Sequence, residues 1–375
     1  MVKEQTLINR QTVPRESNIE LFRIISMLLI VAHHYVMNSG ISELMLDNQL
    51  AFKSIFFYLS GAWGKTAINC FVMITGYFMC TSRITLKKFI KLIFQIEFYN
   101  IIIYFLFVCF GNEQFSFSAL LYAIAPIKVI GNEFVSAFIV LFLLIPFLNV
   151  LFGNIRERMH IRLIVLGLLL YSLLATFPFP GFSMTMNYVS WFILIYCISA
   201  YVRLYSKPLF MKTSVWGMVA LIVFLISVLS IIICLCNGWY HYKFLNDSNK
   251  LLAVATAFCS FMFFKNLRIP YNKFINMVAC ASFGVLLIHA NSDAMRNWLW
   301  GSTLKNTVVF HTPWCYTHFV CSVLGIYIIC TGIDLLRIYF IEKPFFRFYD
   351  SFSPSFYIKL SSFENILIKS IKKFL

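Results

Sequence analysis

Two residues whose types suit proton transfer and anion binding lie in the first apolar stretch of the sequence. Arg23 and His34 are eleven residues apart, so on an α-helix they share one face to within about 20° and differ in height by about 16 Å. An imidazole titrates near neutral pH and suits a general base, whereas a guanidinium suits phosphates. A structural alternative is that Arg23 extends to the membrane interface and His34 caps the helix. His33 is expected to point away from this face.

A third histidine ends a late apolar stretch, which runs from Ala281 to Asn291. We expect this stretch to cross a membrane in the same direction as the first. His289 would then lie at the depth of His34, toward the outer leaflet. Ionisable groups at that depth are functional candidates by default.

Four further polar residues are candidates for substrate contacts, and each has a structural alternative. Asn69 and Thr75 could equally serve helix packing. Glu97 needs a partner in its apolar surroundings, which could be Arg23 or a nearby lysine. Glu133 begins a predicted span and could cap it.

The composition places these residues in a membrane. Of 375 residues, 60% are hydrophobic and only 12% are charged, with a mean hydropathy of +0.80. A soluble domain carries about 25% charged residues to cover its surface. The same values exclude a disordered chain and a small disulfide-rich module. The sequence therefore predicts an all-α polytopic membrane bundle.

A membrane helix needs about 20 mostly apolar residues, and the sequence offers about ten such stretches. Pro178 to Gly181 divides the longest charge-free run into two. The predicted spans are 19–37, 55–80, 90–110, 133–153, 161–178, 185–204, 214–236, 250–266, 274–292 and 314–338.

Basic residues set the expected orientation of these spans. With both termini in the cytoplasm, every inside segment is basic, as the positive-inside rule requires. The net charge of +16 then reflects topology and gives no reason to expect nucleic acid. We divide the chain into a cytoplasmic N-terminal segment (1–18), a transmembrane domain (19–347) and a basic cytoplasmic tail (348–375). The eleven cysteines show no metal-ligand spacing, so we expect no metal site.

Several segments resemble the membrane acyltransferase-3 family. Arg23 and His34 match its R-x10-H signature in the first helix, and Asn132-Glu133-Phe134 departs from the Trp-Phe that often opens its fourth-helix block. The other similar blocks, in family order, are Phe71 to Phe78, Val135 to Asn149, Ser282 to His289 and Ile341 to Phe345.

The resemblance implies transfer of an acyl group, usually acetyl, from acyl-coenzyme A to a hydroxyl of a carbohydrate. Acetyl-coenzyme A would be a donor substrate, with no permanently bound cofactor. The acceptor would be exopolysaccharide, capsule, O-antigen or a lipid-linked oligosaccharide, and the location the bacterial cytoplasmic membrane.

The implied chemistry assigns roles to the residues above. His34 would be the general base, and His289 would bind the acceptor or stabilise the oxyanion. Glu20 could orient His34 but lies about two turns or more away. Coenzyme A phosphates would meet Arg23, with help from Lys87 and Lys88, which topology explains about as well. Substrate-binding roles fall to Glu97, Asn69, Thr75 and Glu133.

The main alternative is an exporter or flippase of a lipid-linked carbohydrate, in which the same polar residues line a path. Transporters commonly carry internal repeats with broken helices. The sequence shows neither, which favours the enzyme.

The topology can be tested by labelling single cysteines with a membrane-impermeant reagent. Positions near Lys88, Arg158, Lys207 and Arg268 should be protected in intact cells, and positions near Asp47, Gln114 and Lys305 should react. Outside labelling of any of the first four would contradict the predicted orientation.

Overall fold

The computed structural model describes residues 15–128, 133–177, 180–181 and 185–351, and these residues form helices and turns with no strand. This confirms the all-α prediction. The helices are α1 (Ser17–Met37), α2 (Ile41–Leu44), α3 (Phe52–Gly61), α4 (Gly64–Met79), α5 (Leu86–Cys109), α6 (Phe117–Ile124), α7 (Phe134–Asn154), α8 (Glu157–Leu168), α9 (Leu174–Thr176), α10 (Tyr188–Leu204), α11 (Thr213–Cys236), α12 (Leu251–Asn266), α13 (Lys273–Cys280), α14 (Ser282–His289), α15 (Asp293–Arg296), α16 (Asn306–Phe310) and α17 (Cys315–Arg337).

Shorter irregular helices join or extend these elements. Two 3₁₀ turns occupy Met45–Asn48 and Pro208–Met211. Three π-helical segments occupy Leu169–Leu173, Asn297–Thr303 and Ile338–Glu342.

Each of the ten predicted spans contains helix, but two of them are broken. The second consists of α3 and α4, and the ninth of α13 and α14. The expectation of unbroken helices was therefore wrong, and helix breaks no longer separate the enzyme from an exporter. Within the described residues, six helices are long and apolar enough to cross a membrane, or seven if α13–α14 and the following segment to Thr303, bent by 95°, form one span. The chain is therefore a multi-pass membrane protein, while the count of ten and the location of both termini stay predictions. The N-terminal segment and the basic tail lie mostly outside the described residues.

The first helix is the centre of the bundle. It packs against α3, α4, α12, α13, α14 and α17. Met27, Val31 and Tyr35 of α1 are almost fully buried. Neighbours on several sides thus fix the rotation of α1 about its axis, and with it the direction of its polar side chains.

A buried cluster of charges joins α5 to α17. Arg337 donates from Nε to Oδ1 of Asp334 and from Nη1 to Oε2 of Glu342, both at 2.7 Å. Nζ of Lys91 lies 2.6 Å from the other Glu342 oxygen, and the Tyr99 hydroxyl donates to Asp334 at 2.8 Å. Two cations balance the two buried carboxylates, Arg337 from within the bundle and Lys91 from its exposed side.

The same cluster fixes the position of α14. Gly284 faces the Asp334 carboxylate so closely that any Cβ at residue 284 would collide with it. The missing side chain therefore lets α14 pack directly against α17. Since α14 carries His289 at its end, the cluster helps to set the height of that histidine.

Removing the central cation should destabilise the fold. Arg337→Ala leaves the buried Asp334 carboxylate without a cation, while Glu342 keeps Lys91, so we expect a loss of about 3–5 kcal/mol in the free energy of unfolding in bicelles. Lys87→Ala, which removes an exposed ion pair with Asp350, is the matched control and should lose only about 0–1 kcal/mol. Equal losses in both variants would contradict a structural role for the cluster.

Candidate active site

The structure brings His34 of α1 and His289 of α14 into direct contact. Nδ1 of His34 lies 2.9 Å from Nε2 of His289, which is a hydrogen-bond distance. His289 is fully buried. The two histidines that the sequence places at one depth thus form a pair.

The partners of His289 determine which nitrogen carries each proton. Nδ1 of His289 lies 2.6 Å from the carbonyl oxygen of Val285, and because a carbonyl only accepts, this nitrogen donates. In a neutral ring Nε2 of His289 is then an acceptor, so Nδ1 of His34 donates to it. The remaining nitrogen of His34, Nε2, carries a lone pair and has no hydrogen-bond partner among the described residues.

The His34 ring lines a polar cavity of about 350 Å³, which we call the histidine cavity. It adjoins a second cavity of about 480 Å³, which we call the adjoining cavity. The two share five polar residues, namely Asn100, Lys128, Glu133, Asn291 and Arg296. The His34 ring, whose Nε2 carries the free lone pair, therefore borders a cavity large enough for a small polar group.

Two amides at the junction of the cavities offer hydrogen bonds to a ligand. The Asn291 amide nitrogen donates to Oδ1 of Asn100 and to the carbonyl of Leu287, each at 3.1 Å. These bonds use both hydrogens of Asn291 and orient the two amides. The amide nitrogen of Asn100 and the amide oxygen of Asn291 keep no described partner, so one donor and one acceptor are available.

Charged residues line the histidine cavity as well. Lys65 donates to the Tyr188 hydroxyl at 2.8 Å and lies 3.7 Å from Asp247. Arg296 pairs with Asp293 at 2.9 Å. The sequence indicated Glu133, whose carboxylate accepts from Ser136 at 2.7 Å. It did not indicate Lys65, Lys128 or Arg296. Lys128 and Arg296 were only counted among the few basic residues expected outside, and Lys65 was placed within the second span.

His33 also lines the histidine cavity, which differs from the expectation that it points away. Its Nδ1 donates to the carbonyl of Gly61 at 2.6 Å. The ring packs where a Cβ of residue 64 would be, and Gly64 provides that space. The break between α3 and α4 thus creates a place for the second imidazole of α1.

Arg23 lies away from both cavities. Its Nη1 is 3.5 Å from Glu20, which also lies 3.8 Å from Arg15. Glu20 therefore pairs with arginines, and the residue that orients His34 is His289. The structure also gives no Arg23–Glu97 pair, which was one expectation for the partner of Glu97.

Glu97 lies on α5, one turn before Asn100. Both of its carboxylate oxygens are buried and without a partner among the described residues. It is not part of the wall of either cavity. A direct contact between Glu97 and substrate therefore stays a prediction.

Asn69 and Thr75 have internal hydrogen bonds and do not reach the cavity walls. Asn69 is fully buried, accepts from Trp191 at 2.8 Å and donates to the carbonyl of Ser248 at 2.7 Å. Thr75 donates to the carbonyl of Phe71 at 3.0 Å. Thr75 is bonded within its own helix, and Asn69 to α10 and to the loop before α12, so a contact of either residue with substrate stays a prediction.

The two lysines expected at coenzyme A have protein partners at the far end of α5. Lys87 donates to Asp350 at 2.7 Å, and Lys88 donates to the carbonyl of Arg83 at 2.9 Å. The described residues contain no group of three or more potential metal ligands.

The chain was compared with models of protein families. The model of an acyltransferase domain matches residues 16–335, a range that includes α1, α14 and both cavities. Neither curated proteins nor solved structures give a match.

The proton arrangement predicts which histidine reacts with diethyl pyrocarbonate, because this reagent attacks an unprotonated ring nitrogen that is accessible. His34 should be modified much faster than His289, both of whose nitrogens are hydrogen-bonded. Peptide mass spectrometry of the protein in membranes measures both rates, with the exposed His311 as the positive control. Modification of His289 ahead of His34 would contradict the arrangement.

Proposed function

Because the chain belongs to the acyltransferase-3 family, we propose that this membrane acyltransferase moves an acetyl group from acetyl-coenzyme A to a hydroxyl of a carbohydrate. The observation that carries the proposal is the His34–His289 hydrogen bond beside the histidine cavity. It leaves an unprotonated imidazole nitrogen next to a space with the polar lining that a sugar requires.

In the proposed reaction, Nε2 of His34 takes the proton of the acceptor hydroxyl while the hydroxyl oxygen attacks the thioester carbonyl. The tetrahedral intermediate then collapses, the carbon–sulfur bond breaks, and the proton passes from His34 to the departing sulfur. His34 is an imidazolium between these steps. Its Nδ1–H donates to His289, and this hydrogen bond stabilises the cation and keeps the ring in place.

This geometry changes the expected role of His289. A residue that stabilises the oxyanion needs a free donor near the reacting carbon. The one N–H of His289 donates to the carbonyl of Val285, and its lone pair accepts from His34. We therefore propose His289 as a positioning residue, and assign the oxyanion to the Lys65 ammonium and the Asn100 amide, which line the same cavity.

The acceptor would bind through groups that the two cavities share. The Asn100 amide donates and the Asn291 amide accepts, which is the mixture that a sugar hydroxyl needs. The Glu133 carboxylate adds a strong acceptor beside them. A carbohydrate fits this lining better than an apolar acceptor does.

The donor would approach from the other end of α1. Arg23 is partly exposed, with 23% of its side chain accessible, and its guanidinium could meet coenzyme A phosphates. The pantetheine arm would then have to cover the height of about 16 Å between Arg23 and His34. In this proposal the donor approaches from the cytoplasmic side and the acceptor from the other side of the membrane. Lys87 and Lys88 could assist once their own contacts open.

Loss of the base should abolish acyl transfer. Membranes with the wild-type protein should transfer label from acetyl-coenzyme A to a carbohydrate fraction, and His34→Ala should lower the rate by about 10²–10⁴-fold. His311→Ala replaces an exposed histidine and is the control for expression and insertion. Sugar flux across the membrane with no acetyl transfer would instead favour the exporter.

Replacing the arginine fork should weaken donor binding. Arg23→Lys keeps the charge but loses the paired donors, so the KM for acetyl-coenzyme A should rise by about tenfold while kcat changes little. Steady-state kinetics in membranes measure both constants. An unchanged KM would remove Arg23 from the donor site.

A further inference from the structure

A third, apolar cavity of about 1260 Å³ runs along α5 and α17, and we call it the α5–α17 groove. Its wall includes Ile102 and Leu106 of α5 and Ile329 of α17, all of which are exposed on the surface of the bundle. On the α17 side the lining extends from His318 to Ile341, about 35 Å of helical rise. The apolar layer of a bilayer is about 30 Å thick, so the groove is long enough to cross it.

One end of the groove reaches the active site. His289 is part of its wall. Ile103 and Phe107 line both the groove and the adjoining cavity. On the short helix α15, Met295 lines the groove and its neighbour Arg296 lines the cavities. A single layer of side chains therefore separates the apolar groove from the polar space.

Cationic groups follow directly beyond this layer. Nε of Arg296 is buried and has no hydrogen-bond partner among the described residues. Lys128 has no ion pair there, and its ammonium lies 5.0 Å from the centre of the Tyr122 ring. An unsatisfied guanidinium nitrogen and an unpaired ammonium beside an apolar groove fit an anionic group joined to a hydrocarbon chain.

We propose that the α5–α17 groove holds the hydrocarbon chain of a lipid-linked sugar acceptor, whose phosphate lies between Lys128 and Arg296 and whose sugar enters the histidine cavity. The apolar groove, the cations and the amides adjoin one another, as the chain, phosphate and sugar of such an acceptor do. The inference rests on the proposed function, because it names the class of acceptor that the same site takes.

The groove would contribute orientation more than affinity. Lipid tails are as apolar as the groove, so moving a chain from the bilayer into it gains little hydrophobic free energy. The groove would hold the hydrocarbon end of the acceptor, and the contact of Lys128 and Arg296 with the phosphate would select acceptors with an anionic head group. The sugar then approaches His34 from the plane of the membrane, and its position relative to His34 is restricted.

Two glycines on α17 provide a matched pair of variants. A Cβ at Gly325 or at Gly332 would meet no atom within 4 Å. Gly325 lines the groove, and Gly332 is not part of its lining. Gly325→Phe should therefore narrow the groove, whereas Gly332→Phe adds the same side chain to the same helix outside it.

The probe is undecaprenyl phosphate with a photoreactive diazirine in its chain, used with the full protein in phosphatidylglycerol nanodiscs. Photolysis should label α5 and α17 residues of the groove in the wild type and in Gly332→Phe, and labelling should fall about tenfold or more in Gly325→Phe. Unlabelled undecaprenyl phosphate should compete. Arg296→Gln should reduce capture of the phosphate probe about tenfold relative to the matching polyprenol.

Equal labelling in the two phenylalanine variants would overturn the proposal. So would a groove signal that the surrounding phosphatidylglycerol suppresses as well as undecaprenyl phosphate does, because ordinary bilayer lipid would then be the occupant. The assay needs no acyl donor. Failure of acetyl transfer in the wild type would thus contradict the proposed function and leave the binding result readable.

Discussion

The hydrogen bond between His34 and His289 depends on the packing of most of the bundle. Its atoms belong to α1, which packs against six other helices, and to α14, the second half of a broken helix. A bond of 2.9 Å between such distant parts of the chain tolerates little movement of either. The buried charges of α17 and the absence of a side chain at Gly284 keep α14 at the required height.

The protein uses its few buried charges for two separate purposes. Arg337 pairs with Asp334 and Glu342, and these contacts join helices. Around the histidine cavity, Nε2 of His34, the amide nitrogen of Asn100 and Nε of Arg296 have no partner among the described residues. Unmet hydrogen-bonding capacity is expensive inside a membrane. The free Nε2 of His34 faces a cavity with a polar lining, and this is the physical reason to locate substrate binding there.

Sequence periodicity predicted the parts of the site that lie on long helices. The spacing from Arg23 and the end of a late apolar run indicated His34 and His289, because helical geometry and apolar length set their depth. It could not predict Lys65, Lys128 or Arg296, which follow chain breaks or short segments whose position depends on tertiary packing. Asn69 was predicted as a sugar ligand from its residue type. Its amide oxygen instead accepts a hydrogen bond from Trp191, which lies far away in the sequence, and this contact could not be predicted from the sequence.

The central claim is that His289 holds His34 with its Nε2 unprotonated toward the histidine cavity. Nitrogen-15 NMR of ring-labelled histidine, with the protein in bilayers and His34 assigned by substitution, reports the tautomer directly. We predict Nδ1–H and a bare Nε2 for neutral His34, with the preference lost in His289→Phe, which removes the acceptor. A proton on Nε2 of neutral His34 in the wild type would contradict the account. So would an unchanged His34 tautomer in His289→Phe.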